Sequence, residues 1–181
     1  MSILFVLFEK YQNFRILIMS KEDVIQSLIA SYAEAYQNLG YSSLMGKIVA
    51  LLLAAPEPLS LDEITQQLQM SKGPVSQIAR KLKEHQLIEK VWIPGERKDF
   101  YRASDNIFGQ AFFNYSRSMK RNSTIAQQHL EKIDNATDRD DQLMHLKNRL
   151  SEMEAFYKLM DVHFQQFLRE WKEHKAELIT P

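Results

Sequence analysis

The residues of this chain best suited to chemistry lie on one short stretch, SKGPVSQIARKLKE, from Ser71 to Glu84. Val75, Ile78, Ala79 and Leu82 recur at the spacing of one buried helix face. Lys72, Ser76, Gln77, Arg80 and Lys81 are therefore turned elsewhere. Arginine can donate two parallel hydrogen bonds to guanine, and glutamine can pair in the same way with adenine. Arg80 and Gln77 are the candidates for reading bases. Lysines and the free amides of a helix start suit phosphate oxygens. Lys72 and Lys81, with the helix start at Ser71 and Gly73, are the candidates for that task. Beyond this helix, LIEKVWI and KDFYRA read as two strands joined by the turn Pro94-Gly95-Glu96-Arg97. Arg97 and Lys98 stand at its tip. Lys98 suits a phosphate, and Arg97 in a narrow minor groove would favour A·T-rich flanks. For Lys81 and Lys83 a solvated helix face is the plain alternative, and Arg102 reads as a strand-face charge.

Proline near a helix start needs a reason. With Ser71 as N-cap, Lys72, Gly73 and Pro74 are the first three helical positions, whose amides have no intrahelical acceptor. Proline loses no bond there. It crowds the residue before it, and glycine relieves that crowding. The Ser71 hydroxyl is expected to cap the Gly73 amide.

Charge distribution agrees with a polyanionic partner. The 181 residues carry a formal net charge of zero. Between Lys72 and Ala103, eight basic residues stand against four acidic ones, which leaves +4 there and −4 on the remainder. A basic patch on a neutral protein is the footprint expected for a phosphate backbone. The chain has no cysteine. That excludes disulfides, thiolate metal sites and thiol nucleophiles, and fits a reducing cytoplasm. The five histidines are scattered, and Glu170 with His174 at i, i+4 lacks a second pair of ligands. Neither a glycine-rich nucleotide loop nor a nucleophile elbow is present. The expectation is a protein with no enzymatic activity, no cofactor and no metal.

These groups must be positioned by other elements. Ser20 is an N-cap with Glu22 and Asp23 in the first turn, and an apolar helical period runs from Ile25 to Leu39 before Gly40 stops it. Ser43 to Ala54 is apolar nearly all round and reads as a buried helix. Ser60 and Glu63 form a capping box for a short helix carrying Leu61, Ile64 and Leu68. After Ala103 a helix capped by Ser104 or Asp105 carries Ile107, Phe108, Ala111, Phe112, Tyr115 and Met119. The polar run DNATDRDD, from Asp134 to Asp141, marks a break. Leu143, Leu146, Leu150, Met153, Tyr157, Met160, Phe164, Phe167 and Trp171 then follow at alternating three- and four-residue spacing, a seam for a long packed helix. Phe156, Leu159 and Leu168 widen the stripe. A head of winged-helix size cannot cover that surface, so a second copy of the chain is its expected cover, with the first helix contributing.

The fold expected is mainly α with a small β-wing: a winged helix-turn-helix flanked by N- and C-terminal dimerisation helices. Residues 1–40 form an N-terminal segment and dimerisation helix, 41–103 the DNA-binding domain, and 104–181 the helical dimerisation region. The apolar run in MSILFVLFEK is too short to span a bilayer and lacks the features of a signal peptide. Two readings stay open for residues 1–18. Either translation begins at Met19 and they are not native, or ILFVLF adds a strand or helical turn over a dimer surface.

The segment Leu59 to Ala103 resembles the MarR-type winged-helix regulators of bacteria, and more narrowly their GbsR-like branch. The matching marks are Ser71, Lys72, Gly73, Val75 and Ser76 at the helix start, the strand LIEKVW, and the wing PGERKDFY. The resemblance implies a homodimeric transcription regulator, typically a repressor, that binds a near-palindromic operator. It implies that Lys72, Ser76, Gln77 and Arg80 face the major groove, that Arg97 and Lys98 form the wing tip at the adjacent minor groove, and that terminal helices form the dimer. Related sequences commonly have asparagine where this chain has Pro74, so base preference there is expected to differ. Many such regulators respond to a small effector, choline in some of the GbsR-like branch. The aromatic residues Phe112, Phe113, Tyr115, Phe156, Tyr157, Phe164, Phe167 and Trp171 could in principle form a cage for a quaternary ammonium. Their helical spacing favours core packing, and no effector site is assigned. The competing reading is a winged helix that serves only for docking or dimerisation; an apolar or acidic recognition face would favour it.

Overall fold

The computed structural model describes residues 19–137 and 140–179. The two readings of residues 1–18 fall outside the described residues, as do Asp138 and Arg139 of the polar run. The described chain forms two compact units divided between Asp105 and Asn106.

The first unit opens with α1, Lys21–Asn38. The Ser20 hydroxyl accepts from the Asp23 amide at 3.1 Å, and the Asp23 carboxylate accepts from the Ser20 amide at 3.1 Å. Gly40, at φ 80°, closes the helix. The Gly40 and Tyr41 amides return to the Gln37 and Tyr36 carbonyls, both at 2.9 Å, and the Tyr36 and Tyr41 rings meet at 6.0 Å. This is a Schellman closure with its accompanying apolar contact. Helix α2 spans Ser43–Ala54 and is buried over most of its circumference, as its composition predicts. It packs closely on α1 because Gly46 has no side chain: a Cβ there would overlap the Tyr32 carbonyl group.

Strand β1 is only Leu59–Ser60, and it leads directly into α3, Leu61–Leu68. The second capping box is present. Glu63 Oε2 accepts from the Ser60 amide at 2.7 Å and from its hydroxyl at 2.6 Å, while the Glu63 amide donates to Ser60 Oγ at 3.3 Å. Helix α4 is Lys72–Glu84. Strands β2, Ile88–Val91, and β3, Phe100–Ala103, pair antiparallel with Lys90 opposite Tyr101. Both strands are shorter than the apolar runs that predicted them. The sheet order is β1-β3-β2, so β1 adds a third, unexpected antiparallel strand. Two residues are too few to carry an alternation signal. Ile48, Val49, Ile64, Val75, Leu82 and Ile88 are essentially inaccessible and form the core of this unit. Each contributes roughly 1.5–3 kcal/mol relative to an exposed side chain.

The second unit is an antiparallel pair, α5, Ile107–Asp134, and α6, Asp141–Ile179. Asn106, not Ser104 or Asp105, occupies the N-cap position of α5, and its side chain does not cap. Asn106 Oδ1 instead accepts from Trp171 Nε1 at 3.3 Å. Lys147 pairs with Asp134, and Lys120 with Asp161 at 3.9 Å. Phe112 packs against Phe164 and Phe167 with ring centroids at 4.9 and 4.6 Å. The face of α6 carrying these contacts runs through 143, 147, 150, 154, 157, 161, 164, 168 and 171, all half-buried. Leu143, Leu150, Tyr157, Phe164 and Trp171 therefore lie on it as the heptad spacing predicts. On the other flank Lys147, Glu154, Asp161 and Leu168 are half-buried beside the expected Leu146, Met153, Met160 and Phe167, and Phe167 still packs on Phe112. Leu146 and Phe167 are exposed, and Met153 and Met160 are half-buried. The charged residues carried no apolar signal, yet Lys147 and Asp161 bond to α5. Among the described residues no helix is long and apolar enough to cross a membrane.

Candidate nucleic-acid interface

Helices α3 and α4 are joined by the three residues Gln69, Met70 and Ser71. Gln69 adopts a left-handed conformation, φ 52°, and its amide and that of Met70 close α3 onto the Gln66 and Thr65 carbonyls. Gln86, φ 57°, closes α4 in the same way, with its amide and that of Leu87 returning to the Lys83 and Leu82 carbonyls, both at 2.9 Å. Glycine would be the expected residue at either place. The C-terminal ends of α3 and α4 are thus set by backbone closures that composition does not announce.

Val75, Ala79 and Leu82 bury one face of α4 completely. Ser71, Lys72, Gly73, Ser76, Gln77, Arg80 and Lys81 are all exposed, as are Arg97 and Lys98 beyond β2. Ser71 has the extended backbone of an N-cap, φ −72° and ψ 150°, but its hydroxyl caps no amide. The expected bond to Gly73 is therefore corrected. The side-chain caps at Ser20 and Ser60 each accept from the third helical amide, and at Ser71 that position is Pro74, which has none. The Lys72 and Gly73 amides are left facing outward at the positive end of the helix, an arrangement suited to an anion. A Cβ on Gly73 would meet nothing within 4 Å. Beyond its chain neighbours no contact demands glycine there, and the open space lets another backbone approach.

The cations differ in their partners. Asp62, in the first turn of α3, holds Lys72 Nζ at 2.7 Å through one carboxylate oxygen and Lys98 Nζ at 3.3 Å through the other. Hydrogen bonds from Lys72 and then Lys98 hold the Asp62 carboxyl below its ordinary pKa. Lys90 pairs with Asp99 at 2.7 Å. Arg102 pairs with Glu89, directly across the hairpin, at 3.1 Å, as a strand-face charge should. Arg80, Lys81, Lys83 and Arg97 make no ion pair among the described residues. Sequence inspection missed Asp62, because ten residues separate it from Lys72 and no short motif joins them. Trp92, expected within the strand, lies just beyond β2, and its indole is 76% exposed.

In the second unit a cleft of about 630 Å³ is lined by residues including Gly109, Phe113, Leu168 and Trp171. Of the aromatic residues considered for a cage, Phe112, Tyr115, Phe164 and Phe167 pack ring against ring, and Phe156 meets Tyr157 edge to face. Glu170 bonds to Gln166, and His174 lies 3.4 Å from Glu177, so the two do not pair with each other.

Three helices, a tight turn between the second and third, and an antiparallel wing define a winged helix-turn-helix. The chain is 24% identical over 148 residues to the HTH-type transcriptional repressor OpcR of Bacillus subtilis, covering 75% of this chain and 80% of that protein. It is 28% identical over 87 residues to YvaV of the same organism, named as a candidate HTH-type transcriptional regulator, covering 48% of this chain and 49% of that one. A crystal structure of a transcriptional regulator shares the fold, with TM-score 0.70 at 23% identity over 82% of this chain and 98% of the other. No protein-family model matches the chain.

Proposed function

We propose that this protein is a sequence-specific, double-stranded-DNA-binding transcription regulator of the MarR type, in its GbsR-like branch, that acts as a homodimeric repressor. The observation that carries the reading is the division of α4. Its buried face is wholly apolar, while its open face presents Gly73, Gln77 and Arg80, which has no ion partner among the described residues. An uncapped helix start and the wing cations flank that face. In this reading Gln77 and Arg80 read base edges in the major groove. Ser76 faces the groove beside them, Lys72, Lys81, Lys98 and the helix start at Ser71 and Gly73 meet phosphates, and Arg97 at the wing tip reaches the minor groove. Similarity to OpcR, named as a repressor, supports the direction of control.

Homodimerisation is assigned to the second unit. Leu143, Leu150, Met153, Tyr157, Met160, Phe164 and Trp171 are half-buried within one chain. Leu146, Phe156, Leu159, Val162 and Phe167 remain 44–62% exposed, and a second copy would cover them. Selection of bound duplexes from a random pool tests the reading directly. A near-palindrome with half-sites about 10 base pairs apart is the expected product. Failure to retain any duplex at low ionic strength overturns it.

A further inference from the structure

Asp62 contributes a carboxylate to a surface otherwise built for phosphates. It reaches the start of α4 through Lys72 and the wing through Lys98, and so joins three elements by two short bonds. The side chains of Lys72 and Lys98 remain 65% and 59% exposed. Exposed ion pairs add little to folding stability and exchange readily for another anion. The bonds therefore have little value as fold supports, yet they occupy the ammonium groups facing the proposed DNA. Glu63 also lies close enough to Lys98 to feel its charge, but its carboxylate is committed to the Ser60 hydroxyl and amide. Asp62 has no such competing duty.

We propose that Asp62 is a built-in phosphate surrogate: it holds Lys72 and Lys98 in the free protein and releases both to duplex phosphates on binding. It thereby restrains affinity for DNA of any sequence and leaves discrimination to groups such as Arg80 that it does not touch. This inference rests on the DNA-binding reading above. Without Asp62 the two lysines would meet phosphates with no bond to exchange. The salt dependence would steepen by about one released counterion.

The test uses the full chain, a fluorescein-labelled random-sequence duplex and a duplex selected from the same pool. Asp62→Asn and Asp62→Ser remove the carboxylate. Glu96→Gln removes an equal charge from the wing turn without touching either lysine. The expected result is about a fivefold gain in affinity for both duplexes at low salt from either Asp62 variant, with the steeper slope, and a clearly smaller gain from Glu96→Gln. Equal gains from Asp62→Asn and Glu96→Gln would mean that only net charge matters, and would overturn the proposal. So would DNA binding by the parent with no gain from folded Asp62 variants, which leaves the DNA-binding reading intact. A parent that binds neither duplex removes that reading and this inference together.

Discussion

Gly46 of α2 lies against the Tyr32 carbonyl of α1, so closely that a Cβ would stand 2.7 Å from the carbonyl carbon and nearer still to its oxygen. The neighbour is helix backbone and cannot rotate away. Gly46→Ala gains about 1 kcal/mol of helix propensity, but overpacking of this kind typically costs 1–3 kcal/mol or more. A net loss of about 1 kcal/mol is expected in urea unfolding. An alanine variant as stable as the parent would mean that the two helices do not cross at this point.

The capping box at Ser60 makes stability depend on pH with a definite sign. Hydrogen bonds from the Ser60 hydroxyl and amide hold the Glu63 carboxyl below its ordinary value. A depressed carboxyl stabilises the fold above its unfolded pKa, about 4.3, and that contribution fades as pH falls through the lower folded value. Ser60→Ala should cost about 1 kcal/mol at neutral pH. The gap between parent and variant should narrow in thermal melts below about pH 4. A gap that widens on acidification would contradict the assignment.

Gln69 and Gln86 occupy left-handed positions at φ 52° and 57°. The strain of roughly 1–2 kcal/mol per residue is partly offset by the greater unfolded-state freedom of glycine. Gln86→Gly should therefore raise stability by about 0.5–1 kcal/mol. A loss would show that the Gln86 side chain contributes more than its backbone costs.

Arg80 and Arg97, both without ion partners among the described residues, are predicted to fail differently. Arg80→Ala should weaken binding to a selected operator by about 1–3 kcal/mol and binding to random duplex by less. Arg97→Ala should flatten the salt dependence on both. Equal losses on the two duplexes for Arg80→Ala, measured by fluorescence anisotropy, would remove it from base reading.

Leu159, 61% exposed on the second unit, is predicted to lie under the partner copy. Leu159→Glu should convert a dimer into a monomer in sedimentation equilibrium while leaving the helical circular dichroism of α5 and α6 in place. A charged group has no favourable place in an apolar interface. An unchanged dimer would move the interface elsewhere.

Local pattern alone determined a good part of this protein. Ser60, followed three residues later by Glu63, announced a capping box, and Ser20 announced an N-cap that the structure completes as a second box through Asp23. The apolar period of α4 separated Val75, Ala79 and Leu82 from Gln77 and Arg80, because burial follows helical geometry that the order of residues already contains. What depended on contacts distant in the chain was decided only by tertiary structure. Strand β1 exists because Leu59 and Ser60 meet Tyr101 and Phe100. Charged side chains at 147, 154 and 161 join the contact of α6 with α5, and hydrophobic periodicity does not register charges. Asp62 meets Lys72 and Lys98 only after three elements have packed. Side-chain chemistry is written residue by residue, but which charges share a space is set by the fold.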